Sequence, residues 1–99
     1  MIRYTTKQGN FETNNHSEIP LDKLQSLNDE PAIENLIIGY KAWHFEGKLH
    51  RENGPAIFYS DGTYSFWLND KHYKNINDWL EENPNKDITF QAFMRLKYT

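Results

Sequence analysis

The stretch Pro55-Ala56-Ile57-Phe58-Tyr59-Ser60-Asp61-Gly62-Thr63-Tyr64-Ser65-Phe66-Trp67-Leu68-Asn69-Asp70-Lys71 decides the fold, because it divides into strands and turns with little left over. Ala56 to Ser60 is a short apolar-rich run. Asp61-Gly62 is a two-residue hairpin signal, since a type I′ turn needs positive φ at both positions. Thr63 to Leu68 returns with aromatic side chains that suit a pleated, half-buried surface. Asn69-Asp70 turns again into a last short strand, Lys71 to Lys74. Pro55 lacks an N–H and so belongs at a strand opening or a bulge.

The same order occurs upstream. Pro31-Ala32-Ile33 precedes Pro55-Ala56-Ile57 by 24 residues, and Gly39 to Lys48 precedes Gly62 to Lys71 by 23. One extra residue near Ile37-Ile38 absorbs the difference, and His50-Arg51 faces Tyr73-Lys74 more weakly. The period marks an internal repeat. Its first unit reads as Ile33 to Ile38, a turn at Gly39, Tyr40 to Phe45, a turn at Glu46-Gly47, then Lys48 to Arg51. Glu52-Asn53-Gly54-Pro55 joins the units. The prediction is an antiparallel meander of five or six short strands. A two-residue turn at Asp61-Gly62 would set Ile57, Tyr59, Tyr64, Phe66 and Leu68 on one face and Ala56, Phe58, Thr63, Ser65 and Trp67 on the other. Equivalence adds Ile33, Trp43 and Phe45 to the first face, the better core, and His44, Leu49 and Arg51 to the second. Phe58 and Trp67 are too much aromatic surface to leave in water, so another element or a partner covers them.

The flanks change period. Ile76, Trp79 and Leu80 lie at i, i+3 and i+4 after the N-cap candidates Asn75 and Asn77, and Pro84 ends that helix. The tail from Asp87 to Thr99 alternates as a strand would, but Gln91 to Lys97 is good helix material and a helix is the preferred reading. Met1 to Thr5 reads as an edge strand and Lys7 to Ser17 as a polar loop. Pro20, Leu21, Leu24 and Leu27 read as a short helix ending near Asn28. The expectation is one α+β domain over 1–99: a strand, loop and short helix in 1–29, the two hairpin repeats in 30–74 and a helical segment in 75–99.

Composition narrows the function. Ninety-nine residues support one core. Nine of the fifteen aromatics lie between Tyr40 and Tyr73, which concentrates them in the repeats. Eleven Lys and Arg against fourteen Asp and Glu give a charge of −3, which argues against general nucleic-acid binding. With no cysteine there is no disulfide, thiolate metal site or Cys nucleophile. No apolar run approaches a membrane span or a signal peptide, so the expected place is the cytoplasm.

No residue is assigned catalysis. His44, His50 and His72 lack the spacing of a metal site, and His50-Arg51-Glu52 reads more readily as structure than as a general base beside an anion-binding Arg. Asp29-Glu30 and Glu81-Glu82 read as solvated ends. No metal and no cofactor are expected. His44, Arg51, Phe58, Trp67 and His72 are the candidate partner-binding residues, because Trp and Arg dominate protein hot spots. The same aromatic and basic groups suit base stacking, against which the acidic charge counts. An exposed edge strand makes a homodimer by sheet extension a further expectation.

From Trp43 to Tyr73 the chain resembles a known repeat. Glu46-Gly47-Lys48-Leu49-His50-Arg51-Glu52-Asn53-Gly54-Pro55-Ala56, then Asp61-Gly62, then Trp67-Leu68-Asn69-Asp70-Lys71, is similar to the MORN-like hairpin repeats of small proteins from tailed phages and some bacteria. Asp70 stands where Gly is usual and Tyr73-Lys74 replaces His-Arg, as in a degenerate terminal unit. The resemblance implies a scaffold whose motif residues are structural, and a phage origin. The preferred functional expectation is therefore a non-enzymatic binding module that engages a host or viral protein in the host cytoplasm, as an inhibitor or modulator of a host defence protein. The alternatives are a small-ligand or nucleotide sponge, a single-stranded nucleic-acid binder and, last, an enzyme.

Overall fold

Strands and turns alternate through three quarters of the computed structural model, which describes residues 1–98; Thr99, the end of the expected tail, lies outside the described residues. The strands are β1 (Ile2–Thr6), β2 (Gly9–Thr13), β3 (Ile33–Asn35), β4 (Tyr40–Ala42), β5 (His44–Phe45), β6 (Lys48–Leu49), β7 (Ile57–Phe58), β8 (Tyr64–Leu68) and β9 (Lys71–Tyr73). Helices α1 (Ile76–Glu82) and α2 (Ile88–Lys97) follow. Seven strands form one antiparallel sheet in the order β2-β1-β3-β4-β7-β8-β9, and β5 pairs with β6 separately. The class is the expected α+β, mostly β. Among the described residues no helix is long and apolar enough to cross a membrane.

The duplication is visible in backbone bonds. The Ala32 amide donates to the Ala42 carbonyl at 2.8 Å, as the Ala56 amide donates to the Ser65 carbonyl at 2.9 Å. Glu46 and Gly47 turn with φ of 49° and 81°, as Asn69 and Asp70 do with 49° and 67°. A third, incomplete unit precedes these two. The Gly47 amide donates to the Leu24 carbonyl as the Asp70 amide donates to that of Leu49, and the Gln25 amide donates to Thr5 as the His50 amide donates to Trp43. Leu24 to Ala32 thus stands where Leu49 to Ala56 stands one unit later.

Several expectations give way. The expected helix from Pro20 to Asn28 shrinks to a 3₁₀ turn at Leu21–Lys23, because Leu24 bridges to Thr6 and the following backbone joins the ladder. Half of the expected loop at Lys7 to Ser17 is β2, which pairs along β1 from Ile2–Thr13 to Thr6–Gly9, so β2 and not β1 is the sheet edge. Strand β3 ends at Asn35, whose side-chain oxygen accepts from the Ile37 and Ile38 amides and rounds off a four-residue turn. The loop at Asp61-Gly62 has three residues. Tyr59 pairs with Thr63, only Gly62 has positive φ, and Ile57 lies opposite Ser65. That is a type I turn with a left-handed Gly, the next hairpin solution after the two-residue one.

One residue of slip exchanges faces. Phe11, Tyr4, Ile33, Ala42, Ile57 and Ser65 form one row across the sheet, while Glu12, Arg3, Glu34, Lys41, Phe58 and Tyr64 form the next row on the opposite face. Phe58 therefore joins Tyr64, Phe66 and Leu68, whereas Ile33, Ile57 and Tyr59 join Ser65 and Trp67. Each face is covered at one end only. Helices α1 and α2 cover Phe66, Leu68 and Tyr73 through Ile76, Trp79, Leu80 and Met94. The segment carrying Ile19 and Leu24 covers Ile2, Ala32, Tyr4 and Ile33 at the other end of the opposite face.

The helices form as the sequence predicts. Asn75 accepts from the Asp78 amide, and Asp87, in the ambiguous tail, accepts from the Phe90 amide, satisfying N-terminal donors. The Lys86 ammonium closes α1 by donating to the carbonyls of Leu80 and Glu81.

Two glycines with positive φ make a comparison. A Cβ at Gly62 would meet nothing within 4 Å, whereas one at Gly47 would lie 2.5 Å from the Asp22 carbonyl oxygen. Gly62→Ala is expected to cost about 1–2 kcal/mol, the backbone term alone. Gly47→Ala should cost more, because the Asp22 backbone must also move; urea denaturation of both variants measures the difference.

Candidate functional site

Helices cover one face of the β7–β9 end, which leaves the other open. There, alternation along β8 turns Ser65 and Trp67 outward from the helices, and the Trp67 indole donates to the Ser65 hydroxyl at 2.8 Å. The Tyr59 hydroxyl lies 3.2 Å from the same oxygen. Trp67 packs on His72 at 4.9 Å between ring centroids, and Tyr59 on Tyr40 at 6.4 Å. In the stripe Tyr40–Tyr59–Ser65–Trp67–His72, one hydroxyl thus links Tyr59 to Trp67, and Tyr40 and His72 pack at the two ends. Beside Tyr40, Leu36, Ile37 and Ile38 at the β3–β4 tip are 68%, 81% and 54% exposed. A rigid aromatic surface with an apolar protrusion at its rim is a shape that buries area at low entropic cost.

The sequence-predicted residues separate into three groups. Trp67 and His72 come together on this open face, and neither is fully buried. Phe58 belongs to the opposite face, against Trp43 at 5.7 Å and Tyr64 at 6.1 Å. Its expected place on the second face is corrected by the Gly62 loop. Arg51 leaves that face too. Its guanidinium grips the Asp29 carboxylate with Nε and Nη2 at 3.0 and 3.1 Å, donates to the Pro55 carbonyl at 3.2 Å and lies 3.9 Å above the Trp43 ring. All of that is internal. Asp29 is accordingly no free solvated end.

His44 shares the face of Trp67 but is buried, so it offers a partner nothing. Its Nδ1 has no hydrogen-bond partner among the described residues. Burial pushes its titration down to about 4, only partly opposed by the Asp70 charge. His50 is a tether. Its Nδ1 accepts from the Asn69 amide at 3.0 Å, which leaves Nε2 protonated to donate to Glu52 at 2.9 Å. Gln25 holds the equivalent position one unit earlier and accepts from the Glu46 amide at 2.9 Å. The His-Arg-x-x-Gly-Pro-Ala segment is thus structural at every motif position. His50 holds the next turn, Arg51 ties the connectors, and Ala56 enters the ladder. Gly54 leaves room for the guanidinium, which would lie 3.0 Å from a Cβ there.

Among the described residues no three His, Cys, Asp or Glu side chains gather as a metal would require. The sequence reading missed Tyr40, Tyr59 and the Leu36–Ile38 tip. Asn35 and Gly39, flanking three apolar residues, were the available sign of a turn there. Compared with protein-family models, curated proteins and solved structures, the chain matches none.

Two outcomes follow for stability. Arg51→Ala is expected to cost about 2 kcal/mol or more, since it removes charge-assisted bonds and a cation–π contact together. Arg51→Lys should recover little, because an ammonium cannot grip a carboxylate with two parallel bonds; chemical denaturation reads both. For His44, the unfolded imidazole takes a proton near pH 6.5 while the folded one waits until about pH 4. Its contribution is therefore constant above pH 6.5 and falls on acidification between these values, by about 1.4 kcal/mol per pH unit. His44→Leu should flatten that limb of the stability curve.

Proposed function

We propose that the chain is a non-enzymatic binding module that captures another protein on the open aromatic face of its sheet. The observation that supports this reading is the stripe of Tyr40, Tyr59, Trp67 and His72. No helix covers it although helices cover the reverse side: Tyr59 and His72 are exposed, Tyr40 and Trp67 half-buried, and the apolar Leu36–Ile38 tip stands next to it. Contiguous aromatic and apolar surface on a small protein commonly marks an interaction site, and Tyr and Trp are the residues that carry such binding. The resemblance of the His50-to-Ala56 segment to MORN-like units of phage proteins fits a phage product whose partner is a host protein met in the host cytoplasm. On that reading the module acts by occupying a surface of its partner, as an inhibitor or modulator of a host defence protein.

The test is capture of a partner from a bacterial lysate by the tagged chain, identified by mass spectrometry and remeasured with purified partner. Trp67→Ala and Ile37→Glu should each weaken that complex roughly thirtyfold, as loss of a hot-spot residue does. Lys41→Ala, on the charged row of the opposite face, should leave it intact. Equal binding by all four proteins would overturn the assignment of this face.

A further inference from the structure

Seventeen residues separate Thr6 from Leu24 where four separate His44 from Leu49, although both pairs hold the same place in the ladder. The first unit has thus opened its tight turn to admit strand β2 and the Leu21–Lys23 turn. Between these lies a groove of about 570 Å³. That lies within the range of small-molecule sites, about 300–1,000 Å³. Additions to a repeat commonly build the binding side of the array.

The lining has a definite chemistry. Its floor is Tyr4 and Phe11, stacked at 5.3 Å with their planes 20° apart. Phe11 is 41% exposed, so a flat aromatic surface faces the opening. Lys7, Lys23, Asp22 and Glu46 stand around it. Lys7 is held only by Glu46 at 4.0 Å, with both side chains mostly in solvent, a pair worth little and easily exchanged. Lys23 and Asp22 form no ion pair among the described residues. The lining is polar and holds both signs of charge, which does not suit a lipid.

We propose that this groove binds a nucleoside monophosphate. The base stacks on Phe11 and Tyr4, as nucleobases do on aromatic platforms. The Lys23 and Lys7 ammoniums take the phosphate as point charges. The Asp22 and Glu46 carboxylates accept from ribose hydroxyls, the role an acidic residue has beside the ribose in dinucleotide folds. Two carboxylates so close to two lysines disfavour a triphosphate, whose extra charge finds no further cation. The floor is positioned from two sides. Thr6 accepts from the Gln8 amide with its hydroxyl and shapes the β1–β2 turn. The bare Gly47 backbone lets the Asp22 segment approach closely enough to form the wall.

The experiment is titration of the ¹⁵N-labelled full chain with AMP, GMP, CMP and UMP, followed by amide shifts, with inorganic phosphate, adenosine and ATP as comparators. A saturable response centred on Thr6, Gln8, Phe11 and Lys23 is expected for at least one monophosphate. Phosphate and nucleoside alone should bind roughly tenfold more weakly or worse, and the triphosphate more weakly than the monophosphate. Phe11→Ala should lose roughly tenfold in affinity, about the value of one stacked base. Lys23→Gln should lose a comparable factor, and Lys23 is fully at the surface, so this variant keeps the fold even if Phe11→Ala loosens β2. No saturable shift up to about 5 mM overturns the proposal. So does a response that phosphate alone reproduces, one indifferent to Lys23→Gln, or one centred on Trp67.

Discussion

One guanidinium holds the connectors of two successive repeats together. Arg51 reaches back across 22 residues to Asp29 in the connector before β3 and forward to Pro55 in the connector before β7. Between the two it lies on Trp43, whose own indole donates to the Asp29 carbonyl at 2.9 Å. The side chain is mostly shielded, so these bonds act in a medium less forgiving than water. Asn28 and Asp29 adopt positive φ of 56° and 59°, a conformation short polar residues tolerate and a clamp can stabilise. Strands of two or three residues bring few ladder bonds of their own. The connectors must therefore be fixed by side chains, or the hairpins would not stack in register.

A sheet covered on opposite faces at its two ends has a consequence for where function can lie. The helical end buries Phe66 and Leu68 and frees Trp67; the N-terminal end buries Ile2 and Leu24 beneath its insertion. On the reverse of that end, the row Glu12–Arg3–Glu34–Lys41 alternates in charge across four strands, with Arg3 bonded to Glu34 and the Lys41 ammonium 3.7 Å from it. A row neutralised within itself is a suitable solvent face. The stripe near Trp67 carries no such row of charges; its polar atoms meet at the Ser65 hydroxyl and the rest of its surface is aromatic.

What the sequence made legible was local. Glu46-Gly47 and Asn69-Asp70 turn where short polar residues or Gly must accept positive φ, and Asn75 and Asp87 cap their helices within three residues of themselves. What stayed hidden was decided at a distance. The three leucines at 21, 24 and 27 have helical spacing, yet Leu24 gains more by entering the ladder, so tertiary pairing overrides propensity. The polar residues of β2 become a strand because β1 pairs with them. The third repeat was invisible because Gln25-Ser26 shares no side-chain type with His50-Arg51, although Gln25 caps the same turn amide. Trp67 and His72, which the sequence sets on one face, do lie side by side. Phe58 was misplaced because one additional residue before Gly62 inverted the parity that assigned it, and Arg51 because it lies beyond β6 in a connector, where its bonds to Asp29 and Pro55 and not strand parity set its direction.

The departures from the repeat are as informative as the repeat. Between the paired residues Ile33 and Ala42 the chain carries one residue more than between their equivalents Ile57 and Ser65, and the surplus emerges as the apolar Leu36–Ile38 tip. Between Thr6 and Leu24 it carries thirteen more than its counterpart, and these form the edge strand and a wall of the groove over Tyr4 and Phe11. Ladder bonds dictate the chain wherever the period holds, so Ala32 and Ala56, or Gln25 and His50, have little freedom. Where the period breaks, the ladder makes no demand, and Leu36, Ile37 and Ile38 leave more than half of their surface in water. At the other break Phe11 packs on Tyr4 yet stays 41% exposed, so apolar surface is concentrated where the repeat's own bonds constrain the chain least.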